Sequence, residues 1–210
     1  MLPKIAAYEL PSNEQEFENR VAWPAIPQRS ALLVHDMQRY FLAPFGDSPL
    51  RTHLVGHVAS IITCAHELGI PVFYTAQPPR QDPQDRGLLT DFWGPGLQED
   101  HAAEIIPELT PQENDTVLTK WRYDAFARSN FAELLAAAGR DQLVITGIYS
   151  SIGITATATS AFMRDIQAFL VSDATADFSA EQHRDALHRA SQHCARVVTT
   201  DTLLADWQVS

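Results

Sequence analysis

The chain has 210 residues, of which 26 are acidic and 15 basic, and its formal charge is -11 at pH 7. This charge argues against a nucleic-acid partner, because binding to a phosphate backbone depends on lysine and arginine. No apolar run approaches the roughly 20 residues that a membrane-spanning helix needs, and the first 20 residues lack the apolar core of a secretory signal. We therefore expect a cytoplasmic protein with neither a nucleic-acid nor a membrane partner.

The sequence contains two cysteines, Cys64 and Cys194. They are too few for a disulfide scaffold, and no CxxC motif or cluster of cysteine and histidine predicts a zinc site. Cys64 falls within a segment of helical periodicity, and Cys194 ends a predicted helix without a basic neighbour that would activate its thiol. We expect both thiols to be reduced and neither to be catalytic.

Short apolar runs alternate along the chain with segments of helical periodicity, a pattern typical of βαβ units around a parallel sheet. Predicted strands cover residues 31–35, 71–75, 116–120, 142–148, 167–171 and 196–200. Predicted helices cover residues 54–68, 131–138, 156–165 and 180–193, and a capping box of Ser179 and Gln182 begins the last of them. The alternation predicts an α/β fold, a three-layer α/β/α sandwich with a central six-stranded parallel sheet, formed as a single domain over residues 1–210.

Residues 77–98 contain four prolines and three glycines, too many for a regular element. A loop of this length inside a compact domain is usually a lid or a binding loop. We therefore expect residues 77–98 to contribute contacts to a bound ligand.

Ligands of parallel α/β sheets bind beyond the carboxyl ends of the strands. Four features of this sequence follow predicted strands: Asp36, Gln77, Lys120 and residues 149–153. We expect them to line one crevice.

Asp36 follows an apolar strand, so partial burial is expected to raise the pKa of its carboxyl, whereas Lys120, if it lies adjacent, would lower it. Donating a proton at neutral pH requires a pKa near 6 or 7, compared with about 3.9 in water, and an anionic substrate would supply part of that rise. Two structural roles remain open. Asp36 could cap the next segment or pair with an arginine, and Lys120 could be a solvated residue at a strand end.

Other catalytic patterns are incomplete in this sequence. Residues 147–153 contain serines but satisfy neither GxSxG nor the phosphate-binding pattern GxGxxG. His53 and His57 have the i, i+4 spacing of metal ligands, but no third ligand accompanies them, and a solvated helix face is the better interpretation. An acid, a lysine, an arginine and several aromatic residues remain, a set that suits acid-catalysed addition of water.

Eight segments of the chain resemble isochorismatases. They are AYELP (7–11), LLVHDMQRYF (32–41), YTAQP (74–78), DRGLLTDFWGPG (85–96), TVLTKWRY (116–123), GRDQLVITGIY (139–149), AFMRDIQAFLVSDATADFS (161–179) and VVTTDTLL (197–204). The motifs HDMQ, FWGPG and KWRY distinguish isochorismatases from the wider cysteine-hydrolase superfamily that shares their fold. In that superfamily a cysteine nucleophile follows the fourth strand, at the position that Gly153 takes here.

The resemblance implies hydrolysis of an enolpyruvyl vinyl ether, with release of pyruvate and without a metal or organic cofactor. Asp36 matches the proton donor of the family and Lys120 its catalytic lysine, and Gly153 is expected to leave room for the enolpyruvyl group. Gln77, Arg86 and Tyr149 match positions that contact substrate, and Arg86 is suited to a paired hydrogen bond with a carboxylate. The resemblance also implies a cis peptide bond after Ile148.

Further expectations concern the pocket and the assembly. Phe41 and Trp93 are expected to wall the pocket and exclude water, and helices flanking the sheet to join two chains in a homodimer. Two residues depart from the family pattern: Ser151 replaces a histidine and Asp124 a serine. We expect both to lie outside the layer that contacts substrate.

The substrate with the best support is isochorismate, on the route to 2,3-dihydroxybenzoate siderophores, and the alternative is 2-amino-2-deoxyisochorismate, of phenazine-type pathways. Siderophore versions often carry a C-terminal carrier domain. We expect none in this chain, which shifts the balance somewhat toward the 2-amino compound. Two other classes stay open. An amidohydrolase would require an essential thiol, and a catalytically silent protein would dock on a synthetase or carrier protein.

Overall fold

Six parallel strands form the centre of the molecule in the computed structural model, which describes residues 2–209. The strands are β1 (Ser30–His35), β2 (Val72–Ala76), β3 (Thr116–Thr119), β4 (Gln142–Ile148), β5 (Gln167–Ala176) and β6 (Ala195–Val198). Their order in the sheet is β3-β2-β1-β4-β5-β6, and every neighbouring pair is parallel. The predicted six-stranded parallel sheet is therefore confirmed.

Helices connect the strands along the chain. They are α1 (Arg39–Leu42), α2 (Pro49–Glu67), α3 (Pro83–Arg86), α4 (Leu89–Trp93), α5 (Asp100–Ala103), α6 (Phe131–Ala137), α7 (Thr155–Phe162), α8 (Ala180–His193) and α9 (Thr200–Val209). A π-helical turn, Ser150–Ile154, leads directly into α7, and 3-10 turns lie at Glu14–Phe17, Ala43–Phe45 and Pro107–Leu109.

Helices cover both faces of the sheet. On one face, Leu32 and Val34 of β1 share a hydrophobic core with α2 and α9. On the other face, Ala31 and Leu33 share a second core with α6, α7 and α8. All six residues of β1 are buried, which explains why its sequence shows no alternation of apolar and polar residues. The result is the predicted three-layer α/β/α sandwich.

The strand order reverses at β1, which has β2 on one side and β4 on the other. A crevice forms at such a reversal, outside the carboxyl ends of the two strands. Asp36 follows β1 and Tyr149 follows β4 at this edge. The two strands approach closely here, since a Cβ atom on Gly147, whose φ is +104°, would lie 2.2 Å from the carbonyl oxygen of His35. The sheet topology thus brings the predicted site residues to one place.

The prediction for β5 was wrong at its carboxyl end. The strand continues five residues beyond Val171, the predicted end. Polar residues follow Val171, and in a sequence without known tertiary contacts such polar residues indicate the end of a buried strand. These polar side chains are buried and bonded: Ser172 Oγ donates to Pro11 O, Asp173 Oδ1 accepts from Thr200, and Thr175 Oγ1 bonds to His183 Nε2. Their partners lie far away in the sequence or on later elements, so the sequence pattern did not reveal them.

The sixth strand and its continuation also differ from the prediction. The strand ends at Val198 rather than Thr200, and Thr200 begins α9, a helix that was not predicted. β-Branched threonines favour strands. Here, however, the hydroxyl of Thr199 accepts a hydrogen bond from the backbone N–H of Thr202, as a helix-capping residue does.

The segment 77–98, predicted to be irregular, contains the two short helices α3 and α4. Proline begins α3 at its first position, where it is tolerated, and glycines with positive φ end both helices. The described strands all belong to one sheet. The single domain over residues 1–210 stays a prediction, and residues 1 and 210 lie outside the described part. Among the helices of residues 2–209, none is both long and apolar enough to cross a membrane.

Candidate active site

A cavity opens at the carboxyl edge of the sheet, next to the ends of β1 and β4. It encloses about 560 Å³ between protein atoms, including open space at its mouth, a size suited to a small molecule. All eight predicted site residues line it: Asp36, Phe41, Gln77, Arg86, Trp93, Lys120, Tyr149 and Gly153. The structure therefore brings together residues that lie up to 117 positions apart in the sequence (153 minus 36).

Asp36 and Lys120 form a buried ion pair. Lys120 Nζ lies 2.8 Å from Asp36 Oδ2, and the two residues are only 3% and 7% exposed. The hydroxyl of Thr75 donates to Asp36 Oδ1 over 2.6 Å, and the same hydroxyl accepts from the backbone N–H of Asp36. The backbone of Asp36 is left-handed, with φ of +53°, a conformation that aspartate tolerates better than most residues. Each carboxylate oxygen therefore has one fixed donor.

The pKa of the Asp36 carboxyl is lower than its ordinary value of 3.8. Burial by itself raises this pKa, but electrostatic interactions with His35 and Lys120 and hydrogen bonds from Lys120 and Thr75 lower it further than burial raises it. The two opposing effects that the sequence analysis expected, of burial and of an adjacent Lys120, are both present, and the net direction is a lowered pKa. Burial in turn lowers the pKa of the Lys120 ammonium, with Asp36 opposing that effect.

His35 is a site residue that the sequence analysis did not single out. Its ring is 1% exposed, its Nδ1 lies 2.7 Å from the carbonyl oxygen of Ile148, and its Nε2 lies 2.8 Å from Lys120 Nζ. Burial lowers the pKa of the imidazole to about 4, so it is neutral at pH 7. A signal was available, since His35 immediately precedes Asp36 in the HDMQ motif, but its position inside an apolar strand indicated a core residue.

Gly153 lies against His35 rather than against open space. A Cβ atom on Gly153 would come within 2.3 Å of His35 Cε1 and 2.7 Å of His35 Nε2. The sequence analysis expected glycine here to leave room for substrate. The structure shows instead that the imidazole occupies the space that a side chain at position 153 would need. A cysteine at this position would require His35 to move.

Gln38, another residue of the HDMQ motif, fixes the backbone of Gln77. Its side-chain Nε2 donates to the carbonyl of Gln77 over 2.9 Å, and its Oε1 accepts from the N–H of Gln77 over 2.8 Å. Gln38 is fully buried. Because both the N–H and the carbonyl of Gln77 are hydrogen-bonded to Gln38, the backbone from which its half-buried side chain extends is fixed at the cavity wall.

Arg86 is a buried cation in the segment 77–98, which is called the lid segment below. It is 4% exposed, and its Nε donates to the carbonyl of Gly94 over 2.6 Å. Gly96 packs so tightly against it that a Cβ atom there would lie 2.4 Å from Nη1. Burial lowers the pKa of its guanidinium. Among the described residues no carboxylate forms an ion pair with Arg86, so its charge faces the cavity without a balancing anion.

Aromatic rings form one wall of the cavity. Tyr149 stacks on Phe178 at 4.1 Å between ring centroids, and Phe178 stacks on Trp93 at 6.2 Å. Trp93 also donates from its indole N–H to the hydroxyl of Tyr123 over 2.7 Å. These contacts tie the lid helix α4 to the residues that follow β4 and β5. Phe178 and Tyr123 were not predicted as site residues, although both fall within the segments that carry the resemblance.

Several candidates from the sequence lie away from the cavity. Within residues 2–209, neither Ser151 nor Asp124 is among the lining residues, and neither cysteine is. The Asp124 carboxylate accepts from the N–H of Phe126, a local turn contact. The described residues contain no group of three or more side chains arranged to hold a metal ion, so His53 and His57 have no third ligand there. The Ile148–Tyr149 peptide bond is cis, as the resemblance implies.

The topology and the site together define an α/β enzyme with a buried acid–lysine pair. Its described cavity lining includes neither a cysteine nor a serine that could act as nucleophile. A family model described as Isochorismatase domain matches residues 30–202. Since this match covers most of the chain, the protein belongs to the isochorismatase family.

Three curated relatives are similar over nearly the whole chain. An isochorismatase of Bacillus subtilis is 50% identical over 99% of this chain and 67% of its own length. Enterobactin synthase component B of Escherichia coli is 46% identical over 97% of this chain and 72% of its own. Phenazine biosynthesis protein PhzD1 of Pseudomonas aeruginosa is 48% identical over 97% of this chain and 98% of its own.

Among solved structures, a cysteine hydrolase from Pseudomonas syringae superposes with a TM-score of 0.83 at 24% identity, over 90% of this chain and 97% of the other. At this identity the likeness concerns the fold. The fold agrees with the three-layer α/β/α sandwich that the sequence analysis predicted.

Replacing Lys120 by methionine is expected to destabilise the protein in a pH-dependent way. Without the ammonium, burial dominates and raises the pKa of Asp36 above its ordinary value. In the parent, the lowered pKa of Asp36 stabilises the folded protein above about pH 4. In the variant, the raised pKa of Asp36 destabilises the folded protein at neutral pH, and this loss becomes smaller as the pH falls and the carboxyl is protonated. We expect a loss of about 3–5 kcal/mol at pH 7.5 and a loss at least about 1 kcal/mol smaller at pH 5.

Urea unfolding of both proteins at the two pH values measures this difference. Lys4→Met is the matched control, because Lys4 is the other lysine of the chain and is exposed. A loss for Lys120→Met that is the same at pH 7.5 and pH 5 would contradict a charge pair at this site.

Proposed function

We propose that this enzyme hydrolyses the enolpyruvyl vinyl ether of isochorismate to 2,3-dihydro-2,3-dihydroxybenzoate and pyruvate. The observation that carries the proposal is the buried pair of Asp36 and Lys120 in a cavity whose described lining offers no thiol nucleophile. Membership of the isochorismatase family and the 50% identity to an isochorismatase support the same reaction.

The first step is protonation of the substrate alkene. A proton moves from Lys120 Nζ to Asp36 Oδ2 across their 2.8 Å hydrogen bond, which makes both groups neutral without an outside acid. Asp36 then delivers this proton to the terminal methylene carbon, and the π electrons of the alkene form the new C–H bond. The lowered pKa of Lys120 reduces the cost of the neutral pair. A substrate carboxylate beside Asp36 favours the neutral acid further.

The second step is addition of water. Protonation leaves an oxocarbenium ion at the ether carbon, and a water molecule attacks that carbon and returns one proton to the Asp36–Lys120 pair. The hemiketal then breaks its bond to the ring oxygen, which takes up the hemiketal hydroxyl proton. Pyruvate and the ring diol leave, and one water has been consumed. The steps use only water and side chains that line the cavity.

Substrate orientation follows from the charges around the cavity. Isochorismate carries two carboxylates, and Arg86 is the buried cation without a balancing anion. A paired hydrogen bond from its guanidinium to one carboxylate would fix the ring relative to Asp36. Gln77 contributes an amide to the same wall. Phe41, Trp93 and Tyr149 supply apolar surface that excludes bulk water from the reacting carbon.

The alternative substrate, 2-amino-2-deoxyisochorismate, differs by an amino group in place of a hydroxyl. The similarity to a phenazine biosynthesis protein supports it. An ammonium would need a carboxylate partner, yet Asp36 is the one carboxylate among the described lining residues and is already paired with Lys120. This charge balance favours the hydroxyl compound, isochorismate. A role in siderophore formation, through 2,3-dihydroxybenzoate, follows from that substrate.

Two other classes of function receive less support. An amidohydrolase of the related superfamily would need a thiol in the cavity, whereas Cys64 lies on α2 and Cys194 at the end of α8. A silent protein that docks on a synthetase or carrier protein would have no use for a buried charge pair, which costs stability to desolvate. The charge of -11 again argues against nucleic acid as a partner.

A homodimer in the cytoplasm completes the proposal. Large apolar side chains are exposed at the end of α7, where Phe162 and Met163 are 47% and 75% exposed, and such groups favour burial against a second chain. Sedimentation velocity at micromolar concentration is expected to give twice the mass of one 23.3 kDa chain. A boundary at the mass of one chain would contradict the dimer.

Asp36→Asn is expected to lower kcat for pyruvate release from isochorismate by about 10²–10⁴-fold, because an amide cannot supply the proton. Pyruvate is measured by reduction with lactate dehydrogenase and NADH, for isochorismate and its 2-amino analogue side by side. Asp47→Asn, a change of a fully exposed aspartate, serves as control. If the parent protein releases pyruvate from neither compound, or if Asp36→Asn is as active as the parent, the proposal fails.

Arg86→Gln is expected to raise KM for isochorismate by about 10–100-fold with a smaller change in kcat. The guanidinium binds a carboxylate that carries its charge in both substrate and transition state, so its loss removes uniform binding. Arg189→Gln, on the exposed side of α8, is the control, and thermal unfolding checks that the lid contact with Gly94 is not the cause. An unchanged KM would show that Arg86 does not bind the substrate.

A further inference from the structure

The two ring nitrogens of His35 face different hydrogen-bonding groups. The groups around its ring include the carbonyl of Ile148 at Nδ1, the ammonium of Lys120 at Nε2, the carboxylate of Asp36 and the backbone of Gly153. The backbone of Tyr123 also lies near the ring and raises the pKa of the imidazole, against the larger lowering by burial. Asp36 Oδ2 lies 3.6 Å from Nδ1, beyond hydrogen-bond distance. The two nitrogens therefore have different partners, an acceptor at Nδ1 and a donor at Nε2.

These partners determine which nitrogen carries the proton. A carbonyl oxygen at 2.7 Å requires an N–H at Nδ1, since two acceptors at that distance repel each other. In the neutral imidazole, Nε2 then has a free lone pair, and it accepts one of the three N–H bonds of the Lys120 ammonium. The carbonyl of Ile148 thus makes the opposite side of the ring an acceptor for lysine.

Lys120 bridges two residues that are adjacent in the sequence. One of its N–H bonds points to Asp36 Oδ2 and another to His35 Nε2, each over 2.8 Å. A lysine side chain with four rotatable carbons would otherwise move freely at the end of β3. The two acceptors together fix Nζ at one point, within hydrogen-bond distance of the catalytic carboxyl.

We propose that His35 is a positioning residue for this reaction: its Nε2 holds the Lys120 ammonium against Asp36, and Gly153 is glycine because this ring needs the space. The inference rests on the proposed function, since it assigns a role within that reaction. It also explains why the site cannot hold a cysteine at position 153 while His35 keeps its place, because a Cβ atom would lie 2.3 Å from the ring.

Two substitutions at His35 test its two hydrogen bonds, to Ile148 and to Lys120, separately. The amide of asparagine reaches about as far from the backbone as Nδ1, so His35→Asn keeps a donor for Ile148 and loses the acceptor for Lys120. The amide of glutamine reaches about as far as Nε2, so His35→Gln keeps an acceptor for Lys120. His53→Asn, at an exposed position of α2, is the matched control.

We expect His35→Asn to lower kcat for pyruvate release by about 100-fold with little change in KM, because a misplaced proton source costs rate more than binding. His35→Gln is expected to recover at least about tenfold of that loss. The ammonium loses an acceptor in His35→Asn, so the alkaline limb of its kcat profile is expected at lower pH. That limb reports the last proton of the coupled Asp36 and Lys120 pair.

Gly153→Ala tests the steric part of the proposal in a double-mutant cycle. Alone, the added methyl displaces His35 and is expected to lower kcat by about 10–100-fold. In the His35→Asn background the ring is absent, and the same change is expected to cost less than about threefold. Contact with the carbonyl of Tyr123, 3.1 Å from the Cβ position, is common to both backgrounds, so the coupling between the two changes measures the ring.

A spectroscopic measurement tests His35 independently of turnover. Long-range ¹H–¹⁵N spectra of the parent at pH 7 are expected to show a histidine with protonated Nδ1 and a pyridine-like Nε2 whose signal disappears in His35→Asn. The signal of His57, whose Nδ1 also lies close to a carbonyl oxygen, that of Asp173 at 2.6 Å, is expected to stay in that variant. A protonated Nε2 on His35 overturns the proposal, even if no substrate is turned over. If the parent releases pyruvate and His35→Asn matches it in kcat and pH profile, the positioning role is wrong while the proposed function stands.

Discussion

The ion pair between Lys120 and Asp36 is the constraint on which the rest of the site depends. Two charges removed from water lose several kcal/mol of hydration each, and only close mutual contact and further hydrogen bonds compensate for that loss. Thr75 and His35 supply those hydrogen bonds here. Strands β1, β2 and β3 hold the four residues at adjacent carboxyl ends, so the arrangement needs the parallel sheet. A pair in this state can exchange a proton internally, which suits an acid that must work at neutral pH.

The remainder of the cavity provides what the pair does not. Arg86 brings an uncompensated positive charge on the lid segment, while Phe178, Tyr149 and Trp93 form a continuous aromatic wall from the sheet to the lid. In the proposed function, anion binding and exclusion of water are therefore assigned to elements different from those that hold the proton. Such a division allows the lid to tune substrate choice without disturbing the buried charges, whose partners all lie at the sheet edge.

Much of this could be predicted from the sequence. The central strands are short apolar runs, and a run buried on both faces has no other stable place than the middle of a layered sheet. The rule that ligands bind at the carboxyl ends of strands then selected Asp36, Gln77, Lys120 and Tyr149 from local pattern alone. Arg86 and Trp93 came instead from the family resemblance, since nothing in their local sequence separates them from ordinary loop residues.

Local sequence pattern by itself determined the number of strands and their positions along the chain, because hydrophobic periodicity depends on near neighbours in the chain. Tertiary structure alone decided the direction of the Asp36 pKa shift, the acceptor role of His35 and the reason for glycine at position 153. Each of these depends on groups far apart in sequence: Lys120 is 84 residues from Asp36, and Ile148 is 113 from His35. Charge and hydrogen bonding act through space over a few ångströms, so their balance exists only once the sheet has brought these residues together.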